Sequence, residues 1–586
     1  MSRNLCFFSA VLMCLGWTIF LYPQENTVGL VTKESGSCPG YTLFAPLSAT
    51  DTYLIDHDGN LVHSWTGDYS PGNSVYLLKD GSLLRTCDLQ NSLFAAGGRG
   101  GAIRNLDWQS QVIWEYICSN DTICQHHDVE QLPNGNILVI AWEMKSRQDA
   151  IQAGCDSALV NHKGLWPDCI LEIEPQGNNG GNIVWKWHVW DHLIQDFDPS
   201  KDNYGHISEN PQLININYRS STGIGADWNH TNSVDYNADL DQILLSVRAF
   251  SEIWVIDHST TSEQAAGHTG GRCGRGGDLL YRWGNDATWD SHSASGQQLF
   301  YQHDAQWIDA NLPGGGNILL FNNGKGRQPF AYSSIDELTP LLDTDDTYVK
   351  NTDSTFAPED FTWTFTADPR KTFYADHISG TQRLTNGNTL ICDGTHGTFF
   401  EVTENGQTVW KYINPVTNQG ILSQGDSVFE SGKDRVNNVF RAWRYPVDYP
   451  GLLGQDLIPT GPLEHARESQ RDLYTRIPCN AASSDGLQVR VTAPETPRYQ
   501  NGAPIAIYVA GGFDSEGLDE RQTGLADEGF VEIRFNFPGG GKGGAKSGGE
   551  YDYRGPGSLL ALRDIIQFAA QTRPDSSGLM LDDLLP

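Results

Sequence analysis

Four histidines occupy the same place in four similar hairpins. His127, His230, His303 and His377 each open a short apolar-alternating run that passes through a polar turn into a second apolar strand. An imidazole exchanges protons near neutral pH and, when neutral, attacks electrophiles. A lone strand histidine is usually an ordinary polar residue, but four in register indicate a shared functional site.

The clearest copy of this hairpin spans residues 375–394. Its turn contains Asn386 and Gly387, which lie between the strand that His377 opens and a second strand ending at Cys392. Asn-Gly between alternating apolar residues is a strong hairpin signal, because both turn residues tolerate positive φ. A copy without a histidine lies at residues 73–85. The first element is therefore a repeated hairpin.

A second kind of hairpin alternates with the first, and its last strand is rich in aromatic residues. Six copies end at or beside Trp65, Trp114, Trp187, Trp283, Trp363 and Trp410. Two hairpins make a four-stranded unit, and such units repeated around an axis make a β-propeller. A segment at residues 439–445 supplies the half-unit missing from the first kind. We predict an all-β, six-bladed propeller over residues 40–452.

In the predicted propeller, the four histidines would lie close together at one end of the central channel. The first strand of each blade lines the central channel, so histidines at the starts of these strands converge on one face. Two other interpretations remain open. The four imidazoles could hold a metal in a metal-dependent propeller enzyme, or the propeller could be a non-catalytic extracellular binding or scaffold protein.

The composition of the sequence changes after the predicted propeller. Residues 453–485 are polar and contain prolines, which is typical of a linker. Residues 486–586 predict strands, a Gly-rich turn and a helix in the order that opens an α/β-hydrolase domain. The Gly-Gly-Phe turn at 511–513 stands where such folds place oxyanion-hole backbone. No G-x-S-x-G elbow follows, so we expect a truncated domain without hydrolase activity.

The net charge and the N-terminal segment indicate where the protein is located and which partners it does not bind. The net charge of −33 argues against nucleic acid or an anionic membrane surface as a partner. Residues 1–26 predict a signal peptide, although the apolar run at 5–22 is long enough for an uncleaved membrane tether. We expect an exported protein, either periplasmic, extracellular or anchored facing outward. In that oxidising setting, Cys118 with Cys124 and Cys155 with Cys169 are candidates for loop disulfides.

Several longer motifs resemble the arylsulfotransferase family. They are DWNHTNS at 227–233, LSVR at 245–248, QHDA at 302–305, LFNNG at 320–324 continuing to Arg327, ISGTQRL at 378–384 with GNTLI at 387–391, and FRAWRYP at 440–446. The resemblance covers residues 40–452 and is nearer to the broad branch of the family than to the studied periplasmic enzymes. The studied members are six-bladed propellers.

The resemblance implies transfer of a sulfuryl group between phenols without a nucleotide donor. In the family a histidine carries the group, and three histidines and an arginine form the pocket. Matched motif by motif, these fall on His230, His303, Arg327 and His377, with His377 as the residue that becomes sulfated. We also expect pocket positions for His127, Asn232 and Asn323.

The expected substrates are therefore aryl sulfates and phenols, and neither a cofactor nor a metal is implied. Nothing in the sequence resembles a phosphate-binding P-loop. The glycine run at residues 270–277 lacks the strand-then-helix context of a dinucleotide site, so we interpret it as a loop.

Overall fold

The computed structural model describes residues 26–585 except 221–224, 290–295, 346, 352–354, 427, 429, 432–433, 466–470, 495–496, 500–501, 511–514, 519–522, 527 and 543–544. The export segment and the Gly-Gly-Phe turn lie outside these residues and stay predictions. Among the described residues, no helix is long and apolar enough to cross a membrane. The chain forms two compact units, Met1–Glu464 and His465–Pro586.

Short strands make up most of the first unit. Its first part contains β1 (Gly29–Lys33), β2 (Tyr41–Pro46), β3 (Thr52–Ile55), β4 (Leu61–Trp65), β5 (Pro71–Leu77), β6 (Leu83–Asp88), β7 (Gly101–Leu106), β8 (Val112–Ile117), β9 (Ile123–Gln131), β10 (Ile137–Glu143), β11 (Asp168–Pro175), β12 (Gly181–His188), β13 (Leu193–Ile194) and β14 (Ile214–Asn215). Its second part contains β15 (Thr231–Asn237), β16 (Gln242–Val247), β17 (Glu252–Asp257), β18 (Tyr281–Trp283), β19 (His303–Trp307), β20 (Ile318–Asn322), β21 (Ser334–Leu338), β22 (Trp363–Phe365), β23 (Gly380–Arg383), β24 (Thr389–Asp393), β25 (Thr398–Val402), β26 (Thr408–Ile413), β27 (Val416–Thr417), β28 (Gly420–Ile421), β29 (Glu430–Ser431), β30 (Asp434–Arg435) and β31 (Val439–Tyr445).

Helices in the first unit are few and short. They are α1 (Arg147–Gln152), α2 (Ser262–Ala265) and the 3₁₀ helices Val189–His192, Ile207–Glu209, Asp286–Thr288, Arg370–Thr372, Gly394–His396 and Pro450–Leu452.

The larger strands of this unit form antiparallel sheets. We number these sheets 1 to 6: β31-β2-β3-β4, β5 to β8, β9 to β12, β15 to β18, β19 to β22, and β23 to β26 with β1 added at the outer edge. The last strand, β31, pairs with β2, so that Trp443 lies opposite Leu43. The half-unit expected at residues 439–445 is thus a strand of sheet 1, where it pairs with a strand from the beginning of the described residues.

The sheets follow one another in a propeller-like, all-β arrangement. The first strands, β31, β5, β9, β15, β19 and β23, pack against one another in cyclic order; we call them the inner strands. Apolar side chains of neighbouring sheets pack face to face, for example Leu138 of sheet 3 and Trp254 of sheet 4 in one core cluster. Because most strands are covered on both faces, they carry apolar runs such as that of β20, which is buried throughout.

Tryptophans link each sheet to the next. In each of sheets 1 to 6, an indole Nε1–H from the fourth strand, counted from the inner strand, donates a hydrogen bond to an acceptor near a turn of the following sheet: Trp65 to Asp107 O (3.1 Å), Trp114 to Gly180 O (2.9 Å), Trp185 to Thr260 Oγ1 (3.1 Å), Trp283 to Pro358 O (2.8 Å), Trp363 to Glu404 O (2.9 Å) and Trp410 to His57 O (3.0 Å). The last bond returns from sheet 6 to sheet 1. The aromatic-rich strands expected from the sequence therefore join neighbouring sheets.

The expected loop disulfides are not present. Cys118, Cys124, Cys155 and Cys169 are all free thiols and all buried. Burial raises the pKa of Cys118 to about 12 and that of Cys124 to about 11, so both are protonated thiols that pack like small apolar residues. Closeness in sequence did not identify a bonded pair here.

The second unit contains a mixed sheet. Its elements are β32 (Arg471–Ile477), the 3₁₀ helix Asn480–Asp485, β33 (Leu487–Ala493), β34 (Ile505–Tyr508), β35 (Val531–Phe535), α3 (Pro556–Ala569) and α4 (Leu581–Leu584). The strand order is β32-β33-β35-β34, with β34 and β35 parallel. Ile565 and Phe568 of α3 pack with Val489 and Ile533 of the sheet. β32 lies inside the segment that the sequence presents as a linker.

Candidate active site

The four histidines lie at the starts of four inner strands. His127 lies in β9 and His303 opens β19, while His230 and His377 come just before β15 and β23. His127 and His230 have positive φ values of 52° and 54°, which non-glycine residues rarely adopt. The pairing register of β9, β15 and β19 also shifts beside these histidines. Such bulges redirect side chains and are common next to active sites.

The structure brings the four imidazoles together. The ring centroids of His127 and His230 are 4.6 Å apart. Burial, followed by the nearby His230, His126 and His303, holds the pKa of His127 well below its usual range. His230 and His377 both contribute to lowering the pKa of His303. The predicted convergence of histidines from sheets 3, 4, 5 and 6 is therefore found in the structure.

His230 belongs to a carboxylate–imidazole pair. Its Nδ1 lies 2.5 Å from Asp227 Oδ2, while Asp227 Oδ1 accepts a hydrogen bond from Trp142 Nε1 at 2.9 Å. Burial opposes ionisation of Asp227, but the imidazole beside it lowers the pKa of this carboxyl below its ordinary value. Because Asp227 accepts the Nδ1–H of His230, the lone pair of the neutral ring lies on Nε2, the atom that can give and take protons.

His303 is held as a neutral imidazole of defined tautomer. Its Nδ1 lies 2.7 Å from Asn323 Oδ1, and the Asn323 amide donates to the carbonyls of Ala375 and Ile378. Because those two bonds fix the amide orientation, His303 Nδ1–H must be the donor and Nε2 carries the lone pair. Burial and the charge of Arg248 keep the pKa of His303 well below its ordinary value.

His127 is positioned by the histidine that precedes it. The Nδ1 atoms of His126 and His127 are 2.8 Å apart, so one donates to the other. The His126 ring stacks on Trp142 at 4.0 Å, and its Nε2 lies 3.3 Å from Asp168 Oδ1. A Cβ at Gly98 would lie 2.0 Å from His127 Cε1, so only glycine fits beside this ring.

His377 is the most solvent-accessible of the four. Its side chain is 30% exposed, and its Nδ1 lies 2.5 Å from Asp376 Oδ1. This hydrogen bond is the main reason why the pKa of Asp376 falls far below its ordinary value. Lys325 Nζ lies 3.3 Å from the other carboxylate oxygen. Because the carboxylate accepts the Nδ1–H, the lone pair of the neutral ring lies on Nε2.

The arginine beside these histidines is Arg248 and not the expected Arg327. Arg248 follows β16 directly, its guanidinium carbon lies 5.0 Å from the centre of the Tyr301 ring, and its charge acts on His127 and His303. Arg327 Nη2 instead donates to Ser334 Oγ at 3.1 Å, and its guanidinium lies 4.2 Å over the Tyr332 ring.

Arg248 also has unused binding capacity. Among the described residues, no hydrogen bond or ion pair holds its guanidinium. A cavity of about 200 Å³ opens beside it and is lined by His230, Asp227 and Trp228. A partly buried arginine in this state is ready to bind an anion through its fork of N–H donors. The signal for Arg248 was in the sequence, because the LSVR motif at 245–248 ends with it.

Asn232 does not line this cavity. Its Nδ2 donates to Gln302 O at 2.8 Å, and its own carbonyl accepts from Arg441 Nη2 at 2.6 Å. Arg441 is a buried ion-pair centre: its Nη1 lies 2.7 Å from Asp128 Oδ2 and its Nε lies 3.1 Å from Asp304 Oδ1. These two aspartates directly follow His127 and His303 in the chain. In each His-Asp pair, the histidine therefore belongs to the histidine site and the aspartate to the Arg441 network.

Each Nδ1 of these four histidines faces a partner within the chain. Among the described residues, the groups with three or more potential ligand atoms within 4.8 Å of one another lie elsewhere, at Glu143, Cys169 and His188 and at His192, His268 and Asp278. Imidazoles oriented in this way can take part in proton transfer and nucleophilic attack.

The solved structures that match this chain are distant from it in both sequence and structure. A protein of unknown function from Bacteroides caccae is 13% identical, with 69% of this chain and 98% of that chain covered and a TM-score of 0.35. An inactive virginiamycin B lyase from Staphylococcus aureus is 10% identical, with 66% and 89% covered and a TM-score of 0.31. Hydrazine synthase from Kuenenia stuttgartiensis is 13% identical, with 52% and 68% covered and a TM-score of 0.30. At these scores the likenesses carry no argument about function.

None of the curated proteins matches the sequence. A family model does match, and it is that of Arylsulfotransferase (ASST), over residues 43–433. The matched segment is more than half of the chain and contains all four histidines and Arg248. The chain therefore belongs to the arylsulfotransferase family.

Proposed function

We propose that this protein is a nucleotide-independent sulfotransferase built on a six-bladed propeller. It moves a sulfuryl group from an aryl sulfate to a phenolic acceptor through a sulfo-histidine intermediate. The observation that carries this proposal is the position of Arg248, whose guanidinium makes no hydrogen bond or ion pair with the described residues. It lines a cavity together with His230, and its charge acts on His127 and His303. An anionic sulfuryl group needs such a cation, and its transfer needs a nucleophile and a proton carrier.

The first step transfers the group to the enzyme. Nε2 of His377 attacks sulfur, the new N–S bond forms, and the S–O bond to the aryl group breaks. The departing phenolate takes a proton from His230, whose Nδ1 lies 2.5 Å from the Asp227 carboxylate. His377 is assigned as the nucleophile because its side chain is the most exposed of the four and its Nδ1 faces a carboxylate.

The second step reverses these roles. His230, now neutral, removes the proton of the acceptor phenol, whose oxygen attacks sulfur. The new S–O bond forms, the N–S bond breaks, and both histidines return to their starting states. Splitting the transfer in two lets one proton carrier serve both half-reactions.

Arg248 and His303 complete the assignment. The Arg248 guanidinium offers two parallel N–H donors to sulfuryl oxygens, where negative charge is concentrated during transfer. His303 is neutral, so it is not the proton donor. Its fixed tautomer presents the Nε2 lone pair, which orients the hydroxyl group of an incoming phenol.

Mass spectrometry tests the covalent step. The full-length protein is incubated with 4-nitrophenyl sulfate without an acceptor, quenched and digested. We expect a sulfuryl adduct on the peptide containing His377, and none in His377→Ala. Addition of phenol should release the adduct and form phenyl sulfate.

The matched control is His206→Ala, which removes an exposed histidine remote in sequence from the site motifs. It should behave as wild type. Release of nitrophenol at the same rate from wild type and His377→Ala would contradict the proposal. Binding of aryl sulfates without turnover would favour a non-catalytic propeller.

A further inference from the structure

A second cluster of ionisable side chains lies outside the histidine site. His192, His268 and Asp278 bring two imidazole nitrogens and one carboxylate oxygen within 4.8 Å of one another. His192 Nδ1 lies 3.0 Å from Asp278 Oδ1, and His268 Nδ1 lies 2.7 Å from the same oxygen. The three residues come from two neighbouring sheets: His192 ends the 3₁₀ helix after β12, and the others lie between α2 and β18.

The hydrogen-bonding partner of His192 defines its tautomer. Its Nε2 lies 2.8 Å from the carbonyl oxygen of Ala265. A carbonyl only accepts, so Nε2 carries the hydrogen and a neutral ring has its lone pair on Nδ1. That lone pair faces Asp278 Oδ1, which is also an acceptor when the carboxylate is ionised. Two buried acceptors 3.0 Å apart require a cation between them, either a proton or a metal ion.

The ligand atoms are close enough to share one metal ion. Imidazole and carboxylate ligands bind zinc-like ions at about 2.0–2.1 Å, and tetrahedral bonds of this length separate the ligand atoms by about 3.3 Å. The contacts to Asp278 Oδ1, at 3.0 Å from His192 and 2.7 Å from His268, would therefore lengthen by a few tenths of an ångström around a bound ion. A backbone carbonyl that accepts the remote N–H is also the usual outer partner of a metal-binding histidine. We propose that His192, His268 and Asp278 bind one divalent transition-metal ion, with zinc as the fitting example. Two imidazoles and one carboxylate leave further coordination positions for water.

The glycine run at residues 270–277 explains how His268 and Asp278 meet. Gly270, Gly271, Gly274 and Gly276 all have positive φ. The loop closes through Gly277 N–H to Gly267 O at 3.0 Å and Gly276 N–H to Gly270 O at 2.9 Å. A Cβ at Gly277 would lie 2.0 Å from Ala265 O and 2.7 Å from His192 Nε2. The run is a loop, as the sequence predicts, and it folds the two ligands onto one point.

Burial gives the site one open side. His192 is fully buried, whereas the His268 side chain is 60% exposed. An ion can therefore enter past His268. Trp187 Nε1 also donates to Gly277 O at 2.7 Å, so a bound ion would fasten the end of sheet 3 to the same loop of sheet 4. Stabilising the contact between these sheets is the role that this position supports.

The other group of ligand-type side chains is less suitable. Glu143, Cys169 and His188 also converge, but Lys145 Nζ lies 3.7 Å from Glu143 Oε2. A metal ion there would have to compete with this ammonium group. The contrast makes His188 a useful control.

Zinc titration of the full-length, chelator-stripped protein tests the proposal by calorimetry and thermal unfolding. We expect one saturable equivalent of Zn²⁺ and a higher Tm with zinc than with EDTA. His268→Asn should weaken zinc binding at least about 10-fold and remove the shift in Tm. Because His268 is exposed, this variant should fold, and its Tm in EDTA should match that of wild type in EDTA.

Two control variants locate the ion. His162→Asn, at an exposed histidine, and His188→Asn, in the other cluster, should keep the zinc equivalent and the shift in Tm. Co²⁺ absorption provides a second readout, and its ligand-field bands should disappear in Asp278→Asn. The proposal would be overturned if the wild-type protein bound no zinc. It would also be overturned if His188→Asn lost the bound zinc while His268→Asn kept it. His192, His268 and Asp278 would then form only an ordinary ion pair.

Discussion

Asn323 Oδ1 lies 2.7 Å from His303 Nδ1, and the same amide donates to the carbonyls of Ala375 and Ile378 on either side of His377. Asn323 follows β20 of sheet 5, whereas the two carbonyls belong to the segment that leads into β23 of sheet 6. One buried amide therefore fixes the tautomer of one histidine and the backbone around another.

Replacement of Asn323 tests this coupling. Asn323→Leu keeps the approximate volume but removes the acceptor for His303 and both donors to the sheet 6 backbone. We expect the rate of sulfuryl transfer to fall by about 10- to 100-fold, the range seen when groups that orient reactive side chains are lost. Steady-state kinetics should show this mainly in kcat. A variant with wild-type kinetics would show that the amide does not position the histidines.

Two arginine variants test whether Arg248 or the expected Arg327 binds the sulfuryl group. Arg248→Gln should lower kcat for aryl sulfates by about 10²- to 10³-fold, because it removes a cation aimed at developing charge. Arg327→Gln should change kcat by less than a few-fold, since Arg327 is engaged with Ser334 and Tyr332. The reverse order of effects would return the anion-binding role to Arg327.

The stability of the propeller-like unit should depend on pH through Asp235. Burial raises the pKa of this carboxyl from 3.8 to about 7. Between about pH 4 and pH 7 the folded state retains a proton that the unfolded state has lost, so stability falls as pH rises through this window. The slope from one such group is at most about 1.4 kcal/mol per pH unit.

Asp235→Asn should reduce this dependence. The amide oxygen can still accept the hydrogen bond that Trp307 N–H makes at 2.6 Å. Measured by thermal unfolding, the variant should match wild type at pH 4 and have the higher Tm at pH 8. Asp121→Asn, at an exposed aspartate, serves as the control and should leave the profile unchanged. Parallel profiles for Asp235→Asn and wild type would refute the assignment.

Trp410, whose hydrogen bond joins sheet 6 to sheet 1, should contribute to stability through its indole N–H. Trp410→Phe removes the 3.0 Å hydrogen bond to His57 O and should cost about 1 kcal/mol beyond the loss of ring area. Trp443→Phe is the matched control, because among the described residues the buried Trp443 Nε1 has no hydrogen-bond partner. Chemical denaturation of both variants measures the difference. Equal losses would mean that the bond to sheet 1 contributes nothing.

The sequence by itself determined the repeat, because strand alternation and turn chemistry are local. The recurring hairpins, the aromatic outer strands and the strand at residues 439–445 follow from the alternation of apolar residues and from Asn-Gly turns. The alignment of His127, His230, His303 and His377 also follows, since equal positions in equal repeats must occupy equal places around an axis.

The tertiary structure decided what each side chain touches. Arg248 and Arg327 both end promising motifs, and only the path of the chain after β16 and β20 determines which guanidinium reaches the imidazoles. Cys118 and Cys124 are six positions apart but unbonded, since sequence separation does not define sulfur geometry. His192, His268 and Asp278 meet only because a glycine-rich loop of one sheet folds against a helix from another. Contacts between repeats depend on three-dimensional packing, which no local pattern encodes.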